Sequence, residues 1–168
     1  VAVPVGYVLE LLSTELKAPR MLTFRANGDL FIGSKSGNVY RLVPPYDKPQ
    51  VMVRLNDYPH SVAFRDDTVF IARTSGLYRA TFTTDQSRLG VDDIKLYVKI
   101  PGGSGHNSRT VRVGPDGRVY VSLGIRGNCS DQYIGPGYDA DDRRGGVMVL
   151  EEGGETPHWE PFATGLRN

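Results

Sequence analysis

The sequence holds a single cysteine, Cys129, among 168 residues, so no internal disulfide can brace the chain. Cys129 reads as a free thiol, with a bond to a residue outside the chain as the alternative. No apolar run reaches the roughly 18 residues that a spanning helix needs, which excludes a helical membrane span. Surplus charge is missing too: Lys+Arg is 20 and Asp+Glu is 19, a net of +1. Without a basic excess nothing draws a phosphate backbone, and nucleic acid is excluded as a partner. Neither HxxxH nor CxxC spacing occurs, which removes a protein-built zinc site. No Walker loop is present, and Gly124-Ile125-Arg126-Gly127-Asn128 follows an expected strand but opens no helix, so it is not a nucleotide loop. Val1 to Gly6 is too short and too marked by Pro and Gly for a signal peptide. A start without Met fits a mature secreted protein whose signal has been removed, or a recombinant product.

What the chain has in quantity is backbone punctuation, with 20 glycines and 11 prolines. That density of breakers argues against a helical bundle and for short strands joined by turns. A hydrophobic content of 39% with 10% aromatics supplies a core and excludes disorder. Three segments repeat one pattern: Leu22 to Gly33, Val62 to Ala72 and Val111 to Ser122. Each is an apolar run, a tight Asn/Asp/Gly turn and a second apolar run, which is a β-hairpin. Third strands are expected at Gly37–Leu42, Gly76–Ala80 and Gly145–Leu150. Fourth strands are expected at Val51–Leu55, Lys95–Ile100 and Trp159–Ala163. Phe24 and Phe64 are 40 positions apart, and Phe64 and Val113 are 49. Four antiparallel strands in about 40–50 residues is the pattern of a β-propeller blade. Runs such as Leu30-Phe31-Ile32 and Val119-Tyr120-Val121 are apolar on both faces, as strands between neighbouring blades must be. The expected fold is therefore all-β, a β-propeller, with a plain β-sandwich as the alternative.

The chemistry of a propeller sits on loops near its channel. Pro101-Gly102-Gly103-Ser104-Gly105-His106-Asn107-Ser108-Arg109 is Gly-rich and runs straight into a strand, so it holds His106 against a rigid element. Histidine is the side chain suited to accept a proton near neutral pH; the alternative is a histidine that only bonds its own loop. A second loop, Gly124 to Arg144, is long and without strand pattern, as functional or disordered loops are. Its Asp139-Ala140-Asp141-Asp142 lacks the Gly and distal Glu of a helix-loop-helix calcium site and reads as a solvated acidic turn beside Arg143-Arg144. His60 precedes the second hairpin, where a loop enters the channel, and is either channel-facing or a satisfied structural histidine. His158 beside Trp159 reads as a surface or packing pair.

Pro19-Arg20-Met21-Leu22-Thr23-Phe24, Pro59-His60-Ser61-Val62-Ala63-Phe64, Gly105-His106 with Arg109, Gly114 to Gly124 and the terminal Gly165-Leu166-Arg167-Asn168 occur in that order. Together they resemble the quinoprotein glucose/sorbosone dehydrogenase family, which includes the soluble aldose sugar dehydrogenases. The resemblance implies a six-bladed propeller that binds pyrroloquinoline quinone (PQQ) and calcium and oxidises sugars in the periplasm or outside the cell. It implies that His106 is the general base, that Arg167 is the arginine near the quinone carbonyls, and that Asn168 is a neighbouring cofactor-binding amide. An external electron acceptor is implied as a partner. Where the glucose-oxidising branch has an acidic residue before the histidine this chain has Gly105, and where that branch has Asp after the strand glycine it has Ile125. His106-Asn107-Ser108-Arg109 is closer to the sorbosone-dehydrogenase-like branch. The family's calcium ligands lie beyond the Arg-Asn motif, so no metal ligand is assigned.

The expected function is a PQQ-dependent dehydrogenase of a sugar or sugar-derived aldehyde. The alternative is a non-catalytic extracellular propeller acting as a binding module; a metal-dependent propeller lactonase is disfavoured because acidic ligands at the blade starts are missing. At about 45 residues per blade the chain makes three to four blades, whereas six need on the order of 270 residues. Residues 1–168 are therefore read as the N-terminal portion of a single propeller domain. Its remaining blades would lie in a second chain or a copy of itself.

Overall fold

In the computed structural model, residues 2–128 and 144–166 are described, and they form three four-stranded antiparallel sheets with one short 3-10 turn at Val91–Asp93. The first sheet comprises β1 (Pro19–Phe24), β2 (Leu30–Ser34), β3 (Asn38–Leu42) and β4 (Gln50–Arg54). The second comprises β5 (Ser61–Arg65), β6 (Thr68–Arg73), β7 (Gly76–Thr81) and β8 (Lys95–Lys99). The third comprises β9 (Arg109–Val113), β10 (Val119–Leu123), β11 (Gly146–Glu151) and β12 (His158–Thr164). Every sheet is a simple meander, its strands side by side in chain order. All twelve strands fall on the runs expected from sequence. Among the described residues no helix is long and apolar enough to cross a membrane. Cys129, Asp139–Asp142, Arg167 and Asn168 lie outside the described residues.

The repeat is visible in the turns as well as the strands. In the first hairpin Gly28 takes φ +87°, its N–H donates to the Arg25 carbonyl at 3.0 Å, and Arg25 N–H donates to Asp29 O at 2.9 Å. In the third hairpin Gly117 takes φ +78°, donates to Gly114 O at 2.9 Å, and Gly114 donates to Arg118 O at 2.9 Å. The Asn27 and Asp116 side chains accept the next-but-one N–H in each case, both at 3.1 Å. This is turn chemistry chosen for positive φ and local side-chain acceptors. The middle hairpin pairs Arg65 with Thr68 across a two-residue turn in which Asp66 takes φ +51°. A further repeat lies in the ladders: the third and fourth strands of every sheet slip register once, at Val39/Tyr40, Leu77/Tyr78 and Val147/Met148. Such irregularities increase local twist.

Alternation along the second and third strands explains the continuous apolar runs. Phe31 points at the second sheet, within 4.6 Å of the Phe64 ring and 5.6 Å of Phe82. Leu30 and Ile32 point to the opposite face and pack with Tyr40, Leu42 and the half-buried Leu16. In the second sheet Val69 and Ile71 join the Phe31 cluster, while Phe70 and Ala72 join Val119, Val121 and Leu150 from the third. Two sheet-to-sheet cores result, each closed by side chains of both neighbours, and burial of that apolar surface is the main stabilising term. On the far face of the third sheet Tyr120 stacks edge-on against Phe162 at 5.0 Å, and Phe162 stays 62% exposed.

The first strands of successive sheets stand next to one another. Thr23 Oγ1 in β1 donates to Val62 O in β5 at 2.7 Å. Ser61 Oγ in β5 donates to Arg109 O in β9 at 2.8 Å and accepts Val111 N–H at 2.7 Å. Arg112 in β9 reaches past β5 to the Thr23 hydroxyl at 3.1 Å and the Leu22 carbonyl at 3.2 Å. At the outer side Arg65 holds Glu152 with both guanidinium nitrogens, at 2.6 and 2.9 Å, and Tyr97 donates to the same carboxylate. The loops entering β1, β5 and β9 are thus gathered at one end.

Candidate functional site

At that end the three entry points form a cleft of about 330 Å³. Arg20 and Lys35 come from the first sheet, Tyr58 and His60 from the approach to the second, and Gly105 to Ser108 from the approach to the third. The motifs Pro19-Arg20, Pro59-His60 and Gly105-His106, separate in sequence, share this one space.

His106 is half-buried and anchored twice to one carbonyl. Its N–H donates to Ile125 O at 3.1 Å, and its Nδ1 lies 3.1 Å from the same oxygen. A carbonyl only accepts, so Nδ1 carries the proton and the lone pair of the neutral ring sits on Nε2. The loop around it is fixed by two buried arginines. Arg109, with no exposed surface, donates to the carbonyls of His106 at 3.2 Å, Ser108 at 2.9 Å and Pro101 at 2.8 Å. Arg144, 4% exposed, donates to His106 O at 3.0 Å, Ser104 O at 2.9 Å and Gly124 O at 2.8 Å. Burial first, and then the charge of Arg144, pull the Arg109 pKa down to about 10, which leaves it charged at neutral pH.

Gly105 is required by contact as well as by conformation. Its φ is +87°, and a Cβ there would stand 1.8 Å from the Arg126 carbonyl oxygen. The absence of an acidic side chain before the histidine therefore has a physical cause: this backbone has no room for one.

His60 combines both roles left open by its sequence position. It is 7% exposed, its Nδ1 lies 2.9 Å from Arg109 O, and its ring meets Tyr58 edge-on at 5.3 Å. It also lines the cleft. Burial holds its pKa below the usual histidine range, opposed by the bond to Arg109 O and reinforced by Arg20, Arg109 and Arg112, so the ring is neutral at pH 7. His158 is a surface residue 3.4 Å from Glu160, and its neighbour Trp159 donates to Lys99 O at 2.7 Å.

Sequence reasoning missed Arg20, Lys35 and Tyr58 as members of this cleft. The available signal was positional, since Arg20 and His60 both follow a proline at the start of a sheet's first strand. Among the described residues no group of three or more His, Cys, Asp or Glu is placed to hold a metal ion.

No family model and no curated protein matches the chain. Solved structures do match. One is the calcium structure of a Trichoderma reesei protein of the Carbohydrate-Active Enzymes Family AA12, with 18% identity over 83% of this chain and 36% of that one, TM-score 0.70. Another is the holo form of the pyranose dehydrogenase PQQ domain from Coprinopsis cinerea, 13% identical over 83% of this chain and 34% of that one, TM-score 0.68. A third, from Thermus thermophilus, is described as a putative oxidoreductase (glucose dehydrogenase), 13% identical over 83% of this chain and 46% of that one, TM-score 0.60. These likenesses establish a shared fold. The chain spans 34–46% of the length of these three structures.

Proposed function

We propose that the chain is the N-terminal part of a six-bladed β-propeller dehydrogenase that oxidises a sugar or sugar-derived aldehyde with PQQ, in the periplasm or outside the cell. The three meander sheets are its first blades, and the remaining blades lie in a further segment, a second chain or a copy. The observation that carries the reading is His106: a ring with its Nδ1 proton committed to Ile125 O, set in a cleft at the gathered ends of three sheets.

PQQ, when bound, supplies an ortho-quinone that accepts two electrons as hydride. The donor set fits such an oxygen-rich group, because the His106 loop brings Asn107 and Ser108 to the cleft and, among the described residues, no carboxylate lines it. Arg167 and Asn168, by resemblance, would hold the quinone side. His106 Nε2 takes the proton of the substrate hydroxyl as the carbon-bound hydrogen leaves with its electron pair, and a base within hydrogen-bond reach lowers that barrier. Arg109 and Arg144 keep the His106 carbonyl, and with it the ring, in place. Calcium has no fitting ligand cluster among the described residues, and no step here depends on it.

The test is to titrate the full-length protein with PQQ and calcium and to follow dye reduction by aldoses. Expected are a cofactor spectrum, turnover, and a His106→Ala variant that binds PQQ but turns over at least about 100-fold more slowly. Cofactor binding without turnover by the unaltered protein, or full turnover by His106→Ala, would refute the catalytic role. No cofactor spectrum at all would leave a binding module.

A further inference from the structure

The wall of the cleft facing the His106 loop is cationic. Arg20 Nε donates to the Tyr58 hydroxyl at 2.9 Å, which orients the planar guanidinium, and no other hydrogen bond of its side chain is made among the described residues. Lys35 lines the same space, and neither cation has a carboxylate within 4.0 Å among the described residues. Asp57, the residue before Tyr58, is engaged elsewhere: it accepts Tyr58 N–H at 2.7 Å and lies 3.5 Å from Arg73. Among the described residues, none that lines the cleft is acidic. Burial is the main reason the His60 pKa is low, and the charges of Arg20, Arg109 and Arg112 add to it in the same direction.

We propose that Arg20, Lys35 and Tyr58 form a carboxylate-binding subsite, and that it recognises the carboxylate of an acidic sugar whose hydroxyl lies at His106. A guanidinium held on edge by one nitrogen presents its remaining N–H groups as a fork that matches a carboxylate. The ammonium of Lys35 adds a second charge that can follow the ligand. The phenol hydroxyl, accepting from Arg20, has its own proton to donate. The assignment to substrate rather than cofactor follows from place: the base acts on the substrate, and these cations line the cleft of the base. This inference rests on the dehydrogenase reading for the identity of the ligand, and on the cleft alone for its charge.

The experiment compares D-glucuronate with D-glucose, sugars of the same ring that differ in one carboxylate, on the full-length protein and on Arg20→Gln/Lys35→Gln. Binding of each sugar to the cofactor-free protein is measured by calorimetry at two salt concentrations, PQQ affinity by spectral titration, and KM by dye reduction. The expected result is glucuronate bound at least about tenfold tighter than glucose, a preference weakened by salt and lost in the double variant, with PQQ affinity unchanged. Equal binding of the two sugars by the unaltered protein would overturn the proposal. A double variant that loses about tenfold in PQQ affinity while keeping its sugar preference would also overturn it, by giving the cations to a cofactor carboxylate. Salt-sensitive glucuronate binding with no turnover of either sugar would support the subsite and refute the dehydrogenase.

Discussion

Replacing Gly105 by Ala tests whether loop placement or mere presence of His106 matters. At φ +87° an alanine costs about 1–2 kcal/mol for left-handed backbone. Its Cβ would also stand 1.8 Å from the Arg126 oxygen, and ordinary contact begins at 3.4 Å, so the loop and the bend at Arg126 must part by 1.6 Å. His106 is the next residue, and its two contacts with Ile125 O are both 3.1 Å long, so they cannot survive that movement. Losing the backbone bond adds roughly 1 kcal/mol, for a total near 2–3 kcal/mol. A base displaced by more than about 1 Å loses on the order of 100-fold in rate. The assay is kcat of the full-length, PQQ-loaded protein beside a urea unfolding curve. Gly117→Ala is the control, since its φ is +78° but nothing lies within 4 Å of its Cβ. It should lose about 1–2 kcal/mol and no activity. Gly105→Ala with turnover within threefold of the parent would refute the reasoning, because it would mean that the collision is relieved without moving the histidine.

Arg109→Met removes three charge-assisted bonds to buried carbonyls and should cost about 3–5 kcal/mol in denaturant unfolding; a loss below about 1 kcal/mol would show that the carbonyls find other donors. Phe31→Ala empties the core between the first two sheets and should cost roughly 3–5 kcal/mol by the same measurement, whereas Phe162→Ala, on the exposed face, should cost far less. Arg65 holds the Glu152 pKa below its ordinary 4.5, so the pair's stabilisation is complete above pH 4.5 and is lost as pH falls through the lower folded value. Stability of Glu152→Gln should therefore fall below the parent by about 1 kcal/mol at neutral pH and converge with it in acid; parallel curves would remove the pair from the account.

Much of the architecture is written locally. The twelve strands are apolar runs bounded by Asn, Asp and Gly, and a turn such as Ala26-Asn27-Gly28-Asp29 folds on its own side-chain acceptor, so short-range chemistry suffices to place it. His106 is legible for the same reason, as a histidine in a glycine-rich loop before a strand. The rest of its cleft is not. Arg20 and Lys35 precede His106 by 86 and 71 positions, and only the stacking of three sheets brings them across from it. Gly105 is visible in sequence as a departure from an acidic position, but its cause, the Arg126 carbonyl, belongs to the bend that follows β10. Arg109 stands out in sequence only as part of a motif; that it is wholly buried and spent on backbone carbonyls follows from tertiary packing.

Arg112 changes how the three sheets share their stability. Units that touch only their neighbours form a linear array, in which an end unit can peel away at the expense of one interface. Thr23 to Val62 and Ser61 to Arg109 are bonds of that nearest-neighbour kind. The guanidinium of Arg112 instead joins the third sheet to the first, closing a triangle among β1, β5 and β9. Peeling the first sheet then breaks two interfaces at once, and fraying at one end is felt at the other. The triangle lies on the same first strands that, together with their entry loops, carry Arg20, His60 and His106. The geometry between those three side chains is thereby tied to cooperativity of the whole array and not to the stiffness of any single loop.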